Sequence, residues 1–342
     1  MYKSVSRSLF LAVSLSTLAT PWSFGQAQSS VRLIKSVELA GYTGDFDHFA
    51  VDYDRNRLLL AAEDHGTLEV FDLKTSAHLR TVSGFGNPHS ILARKGVPTL
   101  FVTDSEKQMS TIRDADTLAK QKTVTLTPGA DTAKYDAASN TLYVVTGGKD
   151  VDMKTANLEA VNPDTGDRKA LLTFPDNHVE AMAFVEGDPR LFINLTQTNK
   201  LAVVDRNTMK VLNMWPVPPA QQNAMVAFDR GQHRLYVVCR QPGMVVVMNS
   251  DTGAVVGTQP APLRADEVQY DASSHRLYVP GGEGYMGIYD TSDPDHLKLL
   301  EKVTTAPGAK TGLLLPGMHR LFLAVSPGES KAVARVLTYE VK

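Results

Sequence analysis

The sequence predicts an all-β protein: a seven-bladed β-propeller with four antiparallel strands per blade, the last blade closed by the N-terminal strand. Three observations predict it. First, a small or basic residue followed by Leu and then Tyr, Phe or Leu recurs at Leu58, Leu100, Leu142, Leu191, Leu235, Leu277 and Leu321, at intervals of 42, 42, 49, 44, 42 and 44 residues. WD40-type blades repeat at about 40–45 residues and kelch blades at about 50. Second, each unit carries short runs of Val, Tyr, Thr and Phe at alternating positions, broken by turn residues, which favours strands over helical repeats. Third, the seventh unit lacks an outer strand, while residues 31–40 form a spare strand at the other end of the chain. A two-sheet sandwich also uses short strands, but gives no reason for seven copies.

Taken in order, residues 1–27 read as a signal peptide. Lys3 and Arg7 open it, Leu9–Ala19 is apolar and uncharged, and Gly25-Gln26-Ala27 offers small residues for cleavage after Ala27. No Cys follows the apolar run, and no later stretch is long and apolar enough to span a membrane. A periplasmic or secreted bacterial protein is therefore expected, with residues 28–342 as one propeller domain.

The first blade runs from His48 to about Gly86, with strands at Phe49–Asp52, Leu58–Ala62, Leu68–Leu73 and His78–Ser83. The second runs from His89 to Leu126, with strands near Ile91, Leu100–Thr103, Met109–Asp114 and Gln121–Leu126. The third runs from Thr132 to Phe174, and its longer loop Gly147–Asn157 accounts for the 49-residue interval. The fourth covers Val179–Val217, the fifth Ala224–Gln259 and the sixth Tyr270–Val303. The seventh starts at Gly312, with strands at Leu321–Val325 and Ala334–Val341. An open sheet edge invites aggregation, and ring closure removes it, so residues 31–40 are expected to complete the seventh blade.

The formal net charge of −2, which becomes −4 without Lys3 and Arg7, does not point to a nucleic-acid partner. The single cysteine, Cys239, cannot form an internal disulfide and reads as a buried apolar residue. A monomer is expected.

The Leu-Tyr-Val-Val runs at Leu142–Val145 and Leu235–Val238 resemble the YVTN family of β-propeller repeats. So do Phe101-Val-Thr-Asp104 and the turns ending in Asp-Thr-Gly at Asp164–Gly166 and Asp251–Gly253. The resemblance covers residues 31–341 and is nearest to exported bacterial YncE-like propellers. It implies a seven-bladed ring and, for most members, no established enzymatic activity. Fold alone does not name a function.

In such a ring, residues at the start of each inner strand converge on one mouth of the axial channel, where the loop between the second and third strands also returns. They are Asp47/His48, Asn87/His89, Asp131/Thr132, His178/Glu180, Gln222/Asn223, Asp266/Glu267 and Lys310/Thr311. A concave polar site with convergent groups is the default place for binding, although any propeller mouth is wet and polar. The ligand-binding set expected from this is His48, His89, Thr132, His178, Glu180, Asn223, Asp266, Glu267 and Lys310.

Glu180, Asn223 and Asp266 offer oxygen atoms of the kind Ca²⁺ requires, and Ca²⁺ is the one cofactor the sequence raises. That set is similar to the Glu, Asn and Asp of calcium-dependent lactonase propellers, but the chain lacks their overall motifs and has seven repeats rather than six. His48, His89 and His178 form a second candidate metal set, of imidazole type. No Cys-x-x-Cys-His haem motif, phosphate loop or nucleophile elbow is present. The glycines of Gly281–Gly284 are expected to supply positive φ in a tight turn. Asn194-Leu-Thr196 fits a glycosylation acceptor but falls inside an expected strand. Three classes of function remain: a non-catalytic protein that binds a small molecule or protein at the mouth, a cation-dependent hydrolase such as a lactonase, and, by fold analogy alone, electron transfer with a non-covalent cofactor in the channel.

Overall fold

The computed structural model describes residues 1–2, 29–328 and 332–342. The expected signal peptide lies almost wholly outside the described residues. Among those described, seven four-stranded antiparallel sheets form the blades, and the helical segments bounded within them are 3-10 turns at Glu63–His65, Lys149–Val151 and Pro316–Met318. Among the described residues, no helix is long and apolar enough to cross a membrane.

Six blades are built from consecutive strands, in the order inner to outer. The seventh is closed as the sequence predicts. Strand β1 (Val31–Glu38) pairs antiparallel with Arg335–Val341, outside Arg320–Val325 and Ala309–Leu315. Its register runs from Val31 opposite Val341 to Glu38 opposite Arg335. Glu301 of the sixth blade fixes its start by accepting hydrogen bonds from the hydroxyls of Ser29 and Ser30 and from the Ser30 amide.

The repeated Leu is the residue around which each blade packs. All seven lie on the second strand of their blade, with exposures of 0–2 %. Each middle strand is buried on both faces, because each sheet packs between two others. The seven apolar clusters of the described residues accordingly straddle neighbouring blades; Tyr143 and Leu158 of the third blade, for example, pack on Leu191 and Ile193 of the fourth. Outer strands show the opposite pattern, as in Val255–Pro260, where exposure alternates. A bulge recurs between the third and fourth strands of blades one to six and adds local twist. Beside it, an Asp or Asn oxygen accepts amide hydrogens two and three residues on: Asp72 from Lys74 and Thr75, Asn249 from Asp251 and Thr252. This is what the repeated Asp-Thr-Gly-like turns do.

Several details differ from expectation. The outer strand of the second blade is Lys120–Thr123, because Val124 and Leu126 leave the ladder to bury against the third blade. Only Gly284 of the Gly281–Gly284 turn has positive φ, at 107°. Gly281 is needed for space instead, since a Cβ there would meet Pro262 Cβ at 2.2 Å. Cys239 is fully buried on the second strand of its blade, and burial pushes its thiol up to about 12. Asn194 is also fully buried, so the glycosylation triplet is sealed in the fold.

Candidate functional site

The axial mouth is a cavity of about 670 Å³, and all seven blades or the loops entering them contribute to its wall. Two tight turns shape it. The 3-10 turn Glu63–His65 carries Glu63 in from the first blade, and the long third-blade loop brings Gly147–Val151 to the rim. Of the residues expected to converge, Asp47, His48, Asn87, His89, Asp131, Thr132, His178, Glu180, Asp266 and Lys310 line the cavity. A second cavity of about 450 Å³ lies deeper along the axis, lined by Met182, Phe184, Val226 and Phe228 among others. His48, Thr132 and Met225 border both, so they form the partition, and Glu267 faces the deeper chamber.

The charged groups of the mouth fall into two clusters. In the first, carboxylates surround two imidazoles. His89 Nδ1 lies 2.6 Å from Asp47 Oδ2 and 3.4 Å from Asp131, while its Nε2 faces Glu63 Oε1 at 4.0 Å. His48 Nε2 bonds Thr132 Oγ1 at 2.8 Å and lies 3.5 Å from Asp47; its Nδ1 lies 3.6 Å from Glu267. In the second cluster, Arg240 donates to Glu180 Oε1 at 3.0 Å, to Asp266, and to the Ala265 carbonyl at 3.1 Å. Lys310 Nζ lies 2.8 Å from Asp266 and 2.9 Å from Asp45, and His178 Nε2 lies 2.7 Å from Glu180.

Burial and charge pull the protonation states apart. Burial works to lower both imidazoles, but Asp47, Glu267 and Asp131 outweigh it at His48, and Asp131, Asp47 and Glu63 do so at His89; both rise to about 10. Burial raises Glu63 to about 8 and Asp131 to about 6, helped at both by the Asp47 charge. Asp47 and Glu180 are held near 2 against the cost of burial, by His48 and His89 in one case and by Arg240 and His178 in the other.

These shifts predict a stability optimum on the acid side of neutral. Carboxylates with lowered values, Asp47 and Glu180, stabilise the fold above about 4.5, and that contribution is lost as pH falls toward 2. The raised imidazoles stabilise it below 6.5, and that contribution is lost as pH rises toward 10. Glu63 and Asp131 favour the proton in the folded state, so they also withdraw stability with rising pH. Denaturant unfolding of the ligand-free protein is expected to lose at least ~2 kcal/mol between pH 6.5 and 10. A flat profile over that range would show that the imidazoles are not held as ions.

The structure does not bring Glu180, Asn223 and Asp266 together as an oxygen site. Asn223 is fully buried and donates its amide hydrogens to Asn194 Oδ1 at 2.7 Å and the Lys200 carbonyl at 2.8 Å. The cause is a register shift between Asn223 and Met225 in the inner strand Gln221–Asp229, which gives Met225 the cavity position. The Arg240 guanidinium meanwhile stands between the other two carboxylates. The three histidines are also divided: His48 and His89 meet at Asp47, whereas His178 pairs with Glu180. Gln222 and Thr311 do not border the cavity, and Glu283 spends an oxygen on the Leu263 amide.

Reading inner-strand starts alone missed Arg240, Glu63 and Asp45. The signal was present for the first two. Arg240 is near the end of the strand Arg234–Gln241 and Glu63 directly follows Arg57–Ala62, both where second strands reach the mouth. Asp45 comes from the link between β1 and the first blade.

No protein-family model matches the sequence, and no curated protein does. Among solved structures 1541 chains match, so the shape by itself selects no activity. One of them is a chain from the crystal structure of the mitotic checkpoint complex, with a TM-score of 0.73 and 12% identity over 98% of this chain and 99% of that one. At that identity the likeness is one of fold, and the chain is a seven-bladed β-propeller.

Proposed function

We propose that this chain is an exported binding protein of the YVTN, YncE-like kind, whose axial mouth takes a small cationic ligand. The observation that carries the reading is the composition of the cavity wall. Eight Asp and Glu residues line it against four Lys and Arg residues and the two charged imidazoles His48 and His89, and three of those four bases, Lys149, Arg240 and Lys310, are already paired with acids. A cavity of that size and polarity suits a small polar solute rather than an apolar one. A calcium-dependent hydrolase would need Glu180 and Asp266 free, and Arg240 occupying both supports binding over hydrolysis. The basic and apolar N-terminal segment supports export, and the Leu-Tyr-Val-Val runs on the second strands support the YVTN assignment.

The test is a set of thermal melts with 1,4-diaminobutane, a quaternary amine, divalent cations, and succinate as an anionic control. At about 100 times its dissociation constant, a cationic ligand is expected to add ~2.7 kcal/mol of stability. The shift should shrink in Asp131→Asn and Glu63→Gln, whose acids line the mouth. A shift with succinate alone, or one that both variants retain in full, would contradict the reading.

A further inference from the structure

We propose that the acidic cluster of the mouth is a divalent transition-metal site of the zinc class, with His89 Nε2 and Glu63 as ligands and Asp47 orienting the imidazole. The proposal deepens the reading of the mouth as a cation site and rests on it.

Three observations converge. One potential ligand atom from each of Asp47, Glu63 and His89 lies within 4.8 Å of the other two. His89 is 8 % exposed, and its Nε2 is buried without a hydrogen-bond partner among the described residues. A buried ring nitrogen left without a partner costs stability unless something fills the gap. Lastly, Asp47 Oδ2 accepts from Nδ1 at 2.6 Å, so the proton a metal ion displaces is the one on Nε2, and that nitrogen then offers its lone pair. A carboxylate on one ring nitrogen and an open second nitrogen is the arrangement in which histidine ligates metals.

The distances fit a small ion. Nε2 and Glu63 Oε1 are 4.0 Å apart, too far for a hydrogen bond. Zinc bonds nitrogen and oxygen at about 2.0–2.2 Å, so a tetrahedral ion holds two such ligands ~3.3 Å apart. Glu63 needs to move by only ~0.7 Å, and it stands at the start of a short 3-10 turn with its side chain partly exposed to the cavity. Glu63 is part-exposed to the cavity, and water entering on that side would fill the remaining positions. Imidazole selects first-row transition ions over Ca²⁺ and Mg²⁺, which take oxygen ligands.

The experiment is calorimetric titration of the chelator-treated full chain with Zn²⁺ alone, repeated with Ca²⁺, together with the absorption spectrum of the Co²⁺ form. One Zn²⁺ site per chain is expected. Asp47→Asn should weaken it by about 10–100-fold, and His89→Gln or Glu63→Gln by at least as much. His233→Gln, on the outer surface, should leave it unchanged. Equal Zn²⁺ binding by the parent and His89→Gln, or Ca²⁺ binding as tight as Zn²⁺, would overturn the assignment. Should His89→Gln not fold, the Co²⁺ form of the parent decides: strong tetrahedral absorption supports the site, and the faint spectrum of the hydrated ion overturns it. If 1,4-diaminobutane stabilises the protein and Zn²⁺ does not bind, the metal site falls and the mouth reading stands. If neither binds, both fall.

Discussion

A chain beginning at Gly41 is expected to melt at least ~10 °C below one beginning at Gln28, if it folds at all. The deleted residues carry β1, the fourth strand of the seventh blade. They bury Val31 and Leu39, which are 4 % exposed, and burying each such side chain is worth about 1.5–3 kcal/mol. They also supply the ladder to Arg335–Val341, the Arg32–Glu340 pair and the serine contacts to Glu301. With net hydrogen-bond contributions of about 1 kcal/mol each, the total loss is roughly 5–10 kcal/mol. At ~2–4 °C per kcal/mol for a chain of a few hundred residues, the shift is large. The bare edge left on Arg335–Val341 should also make the truncated protein aggregate. Equal melting of the two chains would show that the ring does not depend on this closure.

Arg240→Met is expected to cost about 3 kcal/mol at pH 7, the lower end of what removing one partner from a buried ion pair costs. The lower end applies because Arg240, Glu180 and Asp266 keep side-chain exposures of 23, 17 and 25%. The guanidinium is the largest influence holding Glu180 near 2 against burial, and without it that carboxyl should titrate much nearer its ordinary range. Lys310 still neutralises Asp266, so Glu180 bears most of the loss. Adding Glu180→Gln to Arg240→Met should therefore recover at least half of the stability. Chemical denaturation of the three proteins checks this. An Arg240→Met protein within about 1 kcal/mol of the parent would mean that Arg240 is not a structural counter-ion.

The ring was legible in the sequence because its cause is periodic. Each blade must bury its second strand on both faces, so Leu58, Leu100 and their counterparts recur at blade spacing, and the seventh unit's missing strand pointed to residues 31–40. The site was legible in place but not in detail. Its face follows from topology, which is why His48, His89, Asp131, Glu180 and Lys310 were found. Which atoms meet depends on local register and on partners that no period encodes. The shift at Asn223 turned one expected ligand into the sheet, and Arg240, from a different strand, filled the space between Glu180 and Asp266. Likewise, the 4.0 Å gap between His89 and Glu63 is set by a 3-10 turn that leaves no repeat signal.

The claim that the mouth is the working surface is tested most directly by a crystal structure grown with whichever cationic ligand shifts the melt most. Density for that ligand in the cavity between Arg240 and His89, in contact with Glu63 or Asp131, is the result predicted. A ligand ordered on the outer strands or the far face, with the mouth holding only water, would contradict it.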